Sequence, residues 1–216
     1  MRLSLASPWL VLSLLVAGAA AAVEAPDLDT EQRVRLDRGD VIVLEASPTN
    51  GEGFAYRSFG VVDAPSARVW PVVSDCGDLD EFMPRMIRAD QFDEQGTSYV
   101  CETEIELPFP LSNRTNAARS FLEELPGGIF RRQWSLVPGD WDWHRNDGSW
   151  TVWPWGEALD RTLLEYKMDA WLKTRLPDFV LDAAQSIQAP AAFDAIRARV
   201  RSKSNGVAAP PPTDRD

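Results

Sequence analysis

The 216-residue chain has one histidine, two cysteines and only 22 basic residues against 33 acidic ones. Each shortage removes a class of chemistry. One histidine and two cysteines do not make up a usual zinc ligand set. A Ser-His-Asp arrangement would have to use His144, which lies in the polar segment Trp143-His144-Arg145-Asn146-Asp147, and no serine carries the glycine pattern of a nucleophile elbow. No phosphate-cradling glycine loop is present. Acid pairs such as Asp140 and Asp142 read as solvated loop residues in an acidic protein. With a net charge of −11 and no basic patch, the chain repels phosphate backbones, so no nucleic-acid partner is expected. An anionic bilayer repels it too, which makes any membrane contact transient.

What is present is a soluble globule's composition, 44% hydrophobic and 25% charged, enough for one domain with a full core. The first segment reads as a signal peptide over 1–22: Arg2, then the apolar stretch Pro8 to Val16, then small residues Ala19 to Ala22 before Val23. That stretch is shorter than the roughly 20 residues that span a bilayer. The expected location is therefore periplasmic or secreted. In an oxidising space Cys76 and Cys101 can bridge; the other reading is two buried small hydrophobes.

Residues 23–40 read as a loose lead-in, with a helical turn around Glu31 to Leu36. Val41 to Leu44 and Phe54 to Val62 are β-rich runs around the turn residues Ser47-Pro48-Thr49-Asn50-Gly51, so they form a hairpin. A short helix follows, capped by Asp63 and bent or ended near Pro71. Leu79 to Met86 adds a helical turn. From Arg88 to Trp171 the pattern is of strands. Tyr99 to Leu107 alternates Cys101, Thr103 and Ile105 against Glu102, Glu104 and Glu106, and a later run sets Leu164, Tyr166, Met168, Ala170 and Leu172 against Glu165, Lys167 and Asp169. One face of the sheet is thus wet and the other buried. A loop runs from Pro138 to Gly148. The last element is a helix from Asp178 to Arg201, before a disordered tail at 203–216. Segregated elements of this kind define an α+β fold in which a curved antiparallel β-sheet wraps a long C-terminal α-helix, over a domain at 41–202.

This order, with Pro108-Phe109-Pro110-Leu111-Ser112-Asn113-Arg114, resembles the START branch of the Bet v 1-like (SRPBCC) superfamily, which also holds polyketide cyclase/dehydrase and coenzyme-Q-binding groups. Val61-Val62-Asp63-Ala64-Pro65 and Leu163 to Asp169 with Leu176-Pro177-Asp178-Phe179 are similar to two further segments of that family. The resemblance covers roughly 54–201. It implies a helix-grip fold with an apolar tunnel between sheet and terminal helix, and binding or transfer of a lipid. It also implies a charge pair inside the tunnel, an acid at Glu102 and a base near Arg119, although Arg119 stands one residue short of the family spacing and a slip of one reverses the face.

The residues allow this reading without requiring it. Val180, Ala184, Ile187 and Ala191 form a helical stripe, and seven alanines lie between 183 and 198. Such short side chains either pack close to a sheet or leave room for a guest. Six of nine tryptophans fall between 134 and 155, suited to a tunnel wall, to a core or to sugar stacking; Trp134 and Trp150 fit the interior, Trp141 and Trp143 the loop tips. The expected ligand site comprises Glu102, Arg119, Trp134, Trp150, Tyr166, Met168, Val180, Ala184, Ile187 and Ala191. It needs no cofactor and no metal. The expected protein is a non-catalytic carrier of a lipid, sterol-like or quinone-like molecule. The alternatives are a cyclase-type enzyme or a tryptophan-based carbohydrate-binding module.

Overall fold

A computed structural model of the chain describes residues 25–107, 111–174 and 189–205. Eight strands form one curved antiparallel sheet: β1 (Ile42–Ala46), β2 (Phe54–Val62), β3 (Met86–Gln95), β4 (Ser98–Ile105), β5 (Arg114–Leu125), β6 (Ile129–Leu136), β7 (Trp143–Trp155) and β8 (Arg161–Leu172), in the order β1-β2-β8-β7-β6-β5-β4-β3. Strands β3 to β8 run as successive hairpins, and β8 closes back on β2. The β2–β3 crossover carries α2 (Ser66–Val73) and α3 (Leu79–Phe82). Helix α1 (Thr30–Asp37) precedes the sheet and α4 (Ala189–Asn205) follows it. The expected α+β helix-grip architecture is what the chain adopts.

Strand β2 has the bounds read from its β-rich run. Pro65 is the N-cap residue of α2, with no side-chain cap, while Asp63 is exposed and caps nothing; the Pro65 carbonyl accepts from the backbone N–H groups of Arg68 and Val69. The helix ends two residues after Pro71. The lead-in is more ordered than its polarity suggests. Asp29 accepts from the backbone N–H of Gln32 while the Gln32 side chain accepts from Asp29, a capping box that starts α1.

Helix α1 puts Leu36, fully buried, against the outer face of the sheet. There Leu28, Leu36, Phe59, Val61, Trp153 and Leu163 form a second core. That face is therefore not uniformly wet. On the inner face, α2 and α4 pack over β2, β8 and β7, joining Val62, Val69, Val73, Val152, Leu164, Phe193 and Ile196. Burial of one such side chain stabilises the fold by roughly 1.5–3 kcal/mol. Helix α4 is also tied by Arg197 Nε, which donates to Val61 O at 2.9 Å, and by Arg199 and Lys203, both paired with Asp78. Among the described residues no helix is long and apolar enough to cross a membrane.

Gly60 makes the seat for α4. A Cβ there would stand 2.5 Å from the Phe193 ring, so only glycine lets that ring lie on β2. Gly60→Ala is expected to lower unfolding free energy by about 1–3 kcal/mol through overpacking. Urea denaturation checks this: the midpoint should fall with the slope unchanged.

Candidate binding cavity

Away from the α4 seat, the inner face of β4 to β8 opens into a cavity of about 120 Å³. One wall is formed by Leu79 of α3, Met83 just after it and Met86 at the start of β3, and the sheet side by Trp134, Trp150, Tyr166 and Met168. Met83, Met86 and Met168 are all the methionines after Met1. The rings are layered: Trp150 and Tyr166 lie 4.3 Å apart between centroids, and Trp134 stacks on Tyr166 at 5.9 Å. Gly148 permits this layering, since a Cβ there would come within 2.3 Å of the Trp134 ring.

The polar groups of the cavity are few and buried. Arg132, on β6, is 5% exposed. Its Nε donates to Ser120 Oγ at 3.1 Å and its Nη1 to Val73 O, at the end of α2, at 3.2 Å. Its guanidinium lies 5.4 Å from the Tyr99 ring and 5.5 Å from the Trp134 ring, both at cation–π range. Burial pulls its pKa below the ordinary guanidinium value. The Tyr99 hydroxyl donates to Ser74 O, one residue past Val73. Two residues further on, Cys76 forms a disulfide with Cys101, so the end of α2 is fastened to β4 and β6 together.

A ladder of amides crosses the floor. Trp134 Nε1 donates to Asn146 Oδ1 at 3.4 Å, Asn146 Nδ2 to Asn116 Oδ1 at 2.7 Å, and Asn116 Nδ2 to Thr103 Oγ1 at 2.8 Å. Buried amides without partners would each cost about 1–3 kcal/mol, and here they satisfy one another. Sequence reasoning missed Arg132, Asn116 and Asn146. They are polar residues at inward positions, and the outward neighbours of Arg132 and Asn146 are also polar, so no contrast of hydrophobicity marks them.

The residues expected at the site divide. Trp134, Trp150, Tyr166 and Met168 line the cavity. Val180, Ala184 and Ile187 lie outside the described residues. Ala191 is half-buried on α4 and does not line the cavity. The Glu102–Arg119 pair is not inside. Cys101 is held on the inner face by its disulfide, so Glu102 must face outward, where Arg88 Nη2 meets it at 2.5 Å. Arg119, between inward Ala118 and Ser120, also faces outward and pairs with Asp93. The missing residue of spacing thus reverses its face.

The segment read as a loop up to Gly148 belongs to β7 from Trp143 onward. Trp143 is buried against Ala170 and Leu172, not at a loop tip. His144 sits at an irregularity of that strand, exposed, with its ring 4.3 Å from Trp171. The tryptophans among the described residues are buried or half-buried, and none is fully exposed.

Residues 62–197 match the family described as polyketide cyclase / dehydrase and lipid transport, and the chain belongs to it. No curated protein matches the chain at significant sequence similarity. Solved structures are similar in fold. A STAR-related lipid transfer protein of Xanthomonas axonopodis has a TM-score of 0.63 at 20% identity, covering 74% of this chain and 92% of its own. Human StAR-related lipid transfer protein 5 has a TM-score of 0.66 at 16% identity over 77% and 84%. The Zhui aromatase/cyclase from Streptomyces sp. R1128 has 0.58 at 14% identity over 72% and 98%.

Burial pushes the Tyr166 phenol up to about 12. An unfolded tyrosine ionises near pH 10, so the folded state holds this proton more tightly. The stability this confers is complete below about pH 10 and lost as pH rises through about 12. Alkaline denaturation should show a steep loss across that window, shallower in Tyr166→Phe; an equal slope in both proteins would contradict the assignment.

Proposed function

We propose that the protein is an exported, non-catalytic carrier that takes a hydrophobic small molecule or lipid into the cavity and makes transient contact with membranes. The observation that carries this reading is the cavity itself, walled by three methionines and three aromatic rings, on the concave face of a sheet whose family includes lipid transporters. Apolar transfer at about 25 cal/mol per Å² supplies the affinity without a cofactor. Export is supported by the charged-then-apolar start of the chain and by the Cys76–Cys101 bridge, which persists in oxidising compartments.

Two observations favour carriage over catalysis. Among the described lining residues the only ionisable groups are Arg132 and Tyr166, and both hold their protons at neutral pH. Neither can act as a general base there. His144 lies outside the cavity. A cyclising enzyme would use the same two donors to stabilise an enolate, and it would need a base in addition.

Native mass spectrometry of protein purified from its own cell envelope is expected to show a co-purified hydrophobic molecule. Ala118→Phe fills the floor between Cys101 and Asn116 and should abolish that mass while unfolding remains cooperative. A bare wild-type mass together with no uptake of a neutral fluorescent probe would sink the carrier reading.

A further inference from the structure

We infer that the cargo carries one anionic oxygen group, a carboxylate on a hydrophobic body, and that Arg132 is the residue that anchors it. This rests on the carrier reading and adds the chemistry of the ligand's polar end.

The outward-facing strand arginines 57, 88, 119, 131, 145 and 161 are each matched by a carboxylate, and the two inward-facing ones, Arg132 and Arg114, are not among the described residues. Arg132 faces inward and has no carboxylate within ion-pairing distance among the described residues. Its two hydrogen-bonded nitrogens go to neutral acceptors, a hydroxyl and a carbonyl, and Nη2 has no acceptor among the described residues. The carboxylate that acts on it from further away, Asp75, is occupied at Oδ1 by the backbone N–H of Gly77 at 2.9 Å. Arg114, the other inward strand arginine, donates to two backbone carbonyls and does not line the cavity. A cation removed from water is costly unless a counter-charge meets it, and ring faces offset only part of that cost.

The surroundings fit the rest of such a molecule. Arg132 opens on the cavity beside Trp134, Trp150 and Tyr166, so a group held at Nη2 continues directly onto apolar surface. The cavity is about 120 Å³, below the roughly 300–1,000 Å³ of sites that enclose a whole drug-sized ligand. A compact planar carboxylate fits this space and matches guanidinium geometry.

The test measures displacement of neutral N-phenylnaphthylamine from the full-length mature protein by dodecanoate, methyl dodecanoate and dodecanol. Dodecanoate should compete at a concentration about tenfold or more below its ester and its alcohol. The preference should vanish in Arg132→Gln and survive in weakened form in Arg132→Lys. If Arg132→Gln does not fold, the wild-type comparison of acid with ester decides alone. Equal displacement by acid and ester in the wild type overturns the anchor while leaving the carrier reading intact. Failure of the wild type to take up the probe, together with a bare mass in native mass spectrometry, overturns the carrier reading, and the anchor with it.

Discussion

The last carbonyls of a helix have no partners within it, and α2 ends in the buried residues Val72 and Val73. The sheet supplies the donors. Arg132 reaches Val73 O from β6 and Tyr99 reaches Ser74 O from β4, and the Cys76–Cys101 bridge follows immediately. A cation at a helix C-terminus is also favoured by the helix dipole. Much follows from this junction. It fixes the height of α2 above the sheet, sets where the α3 segment starts its passage over the cavity, and places a guanidinium among aromatic rings.

The sheet consequently has two regimes. Toward β2 and β8 both faces are packed, by α1 outside and by α2 and α4 inside, and the side chains fill the space as a core does. Glu165, fully buried on the outer side there, is held by Arg57 at 2.7 Å, so even the charge in that region is neutralised locally. Toward β4 and β5 the inner face carries small or polar residues, Thr103, Asn116, Ala118 and Ser120, which do not fill the concavity. Rigidity at one end and room at the other come from the same eight strands.

The sequence displays the first regime well and the second poorly. Strand β2 stands out as a β-rich run after a cluster of turn residues, and the inward row of β8 because apolar and charged residues alternate along that strand. Trp134, Trp150, Tyr166 and Met168 come to the cavity on inward positions of regular strands. The polar floor is hidden for the opposite reason: along β7, Asn146 and Gly148 point in while Asp147 and Ser149 point out, so the strand looks like a loop. The family resemblance puts Glu102 and Arg119 inside, but one residue of register sends a side chain to the other face. Only the pairing of Cys101 with a residue above the sheet fixes that parity. Helix α1 is short and weakly amphipathic, and what makes it is a local capping box plus a partner face far away in sequence.

On the carrier reading proposed above, the methionine wall bears on what sort of cargo the pocket distinguishes. With Cys76 pinned to β4, the backbone carrying Met83 and Met86 is on a short tether, and space is adjusted mainly by unbranched thioether side chains with three rotatable bonds each. Such a surface reshapes itself around chains or rings of differing outline at little cost. A fixed guanidinium does not. The protein would then be strict about one end of a molecule and indifferent to the other, sorting by headgroup a family of compounds that share little else.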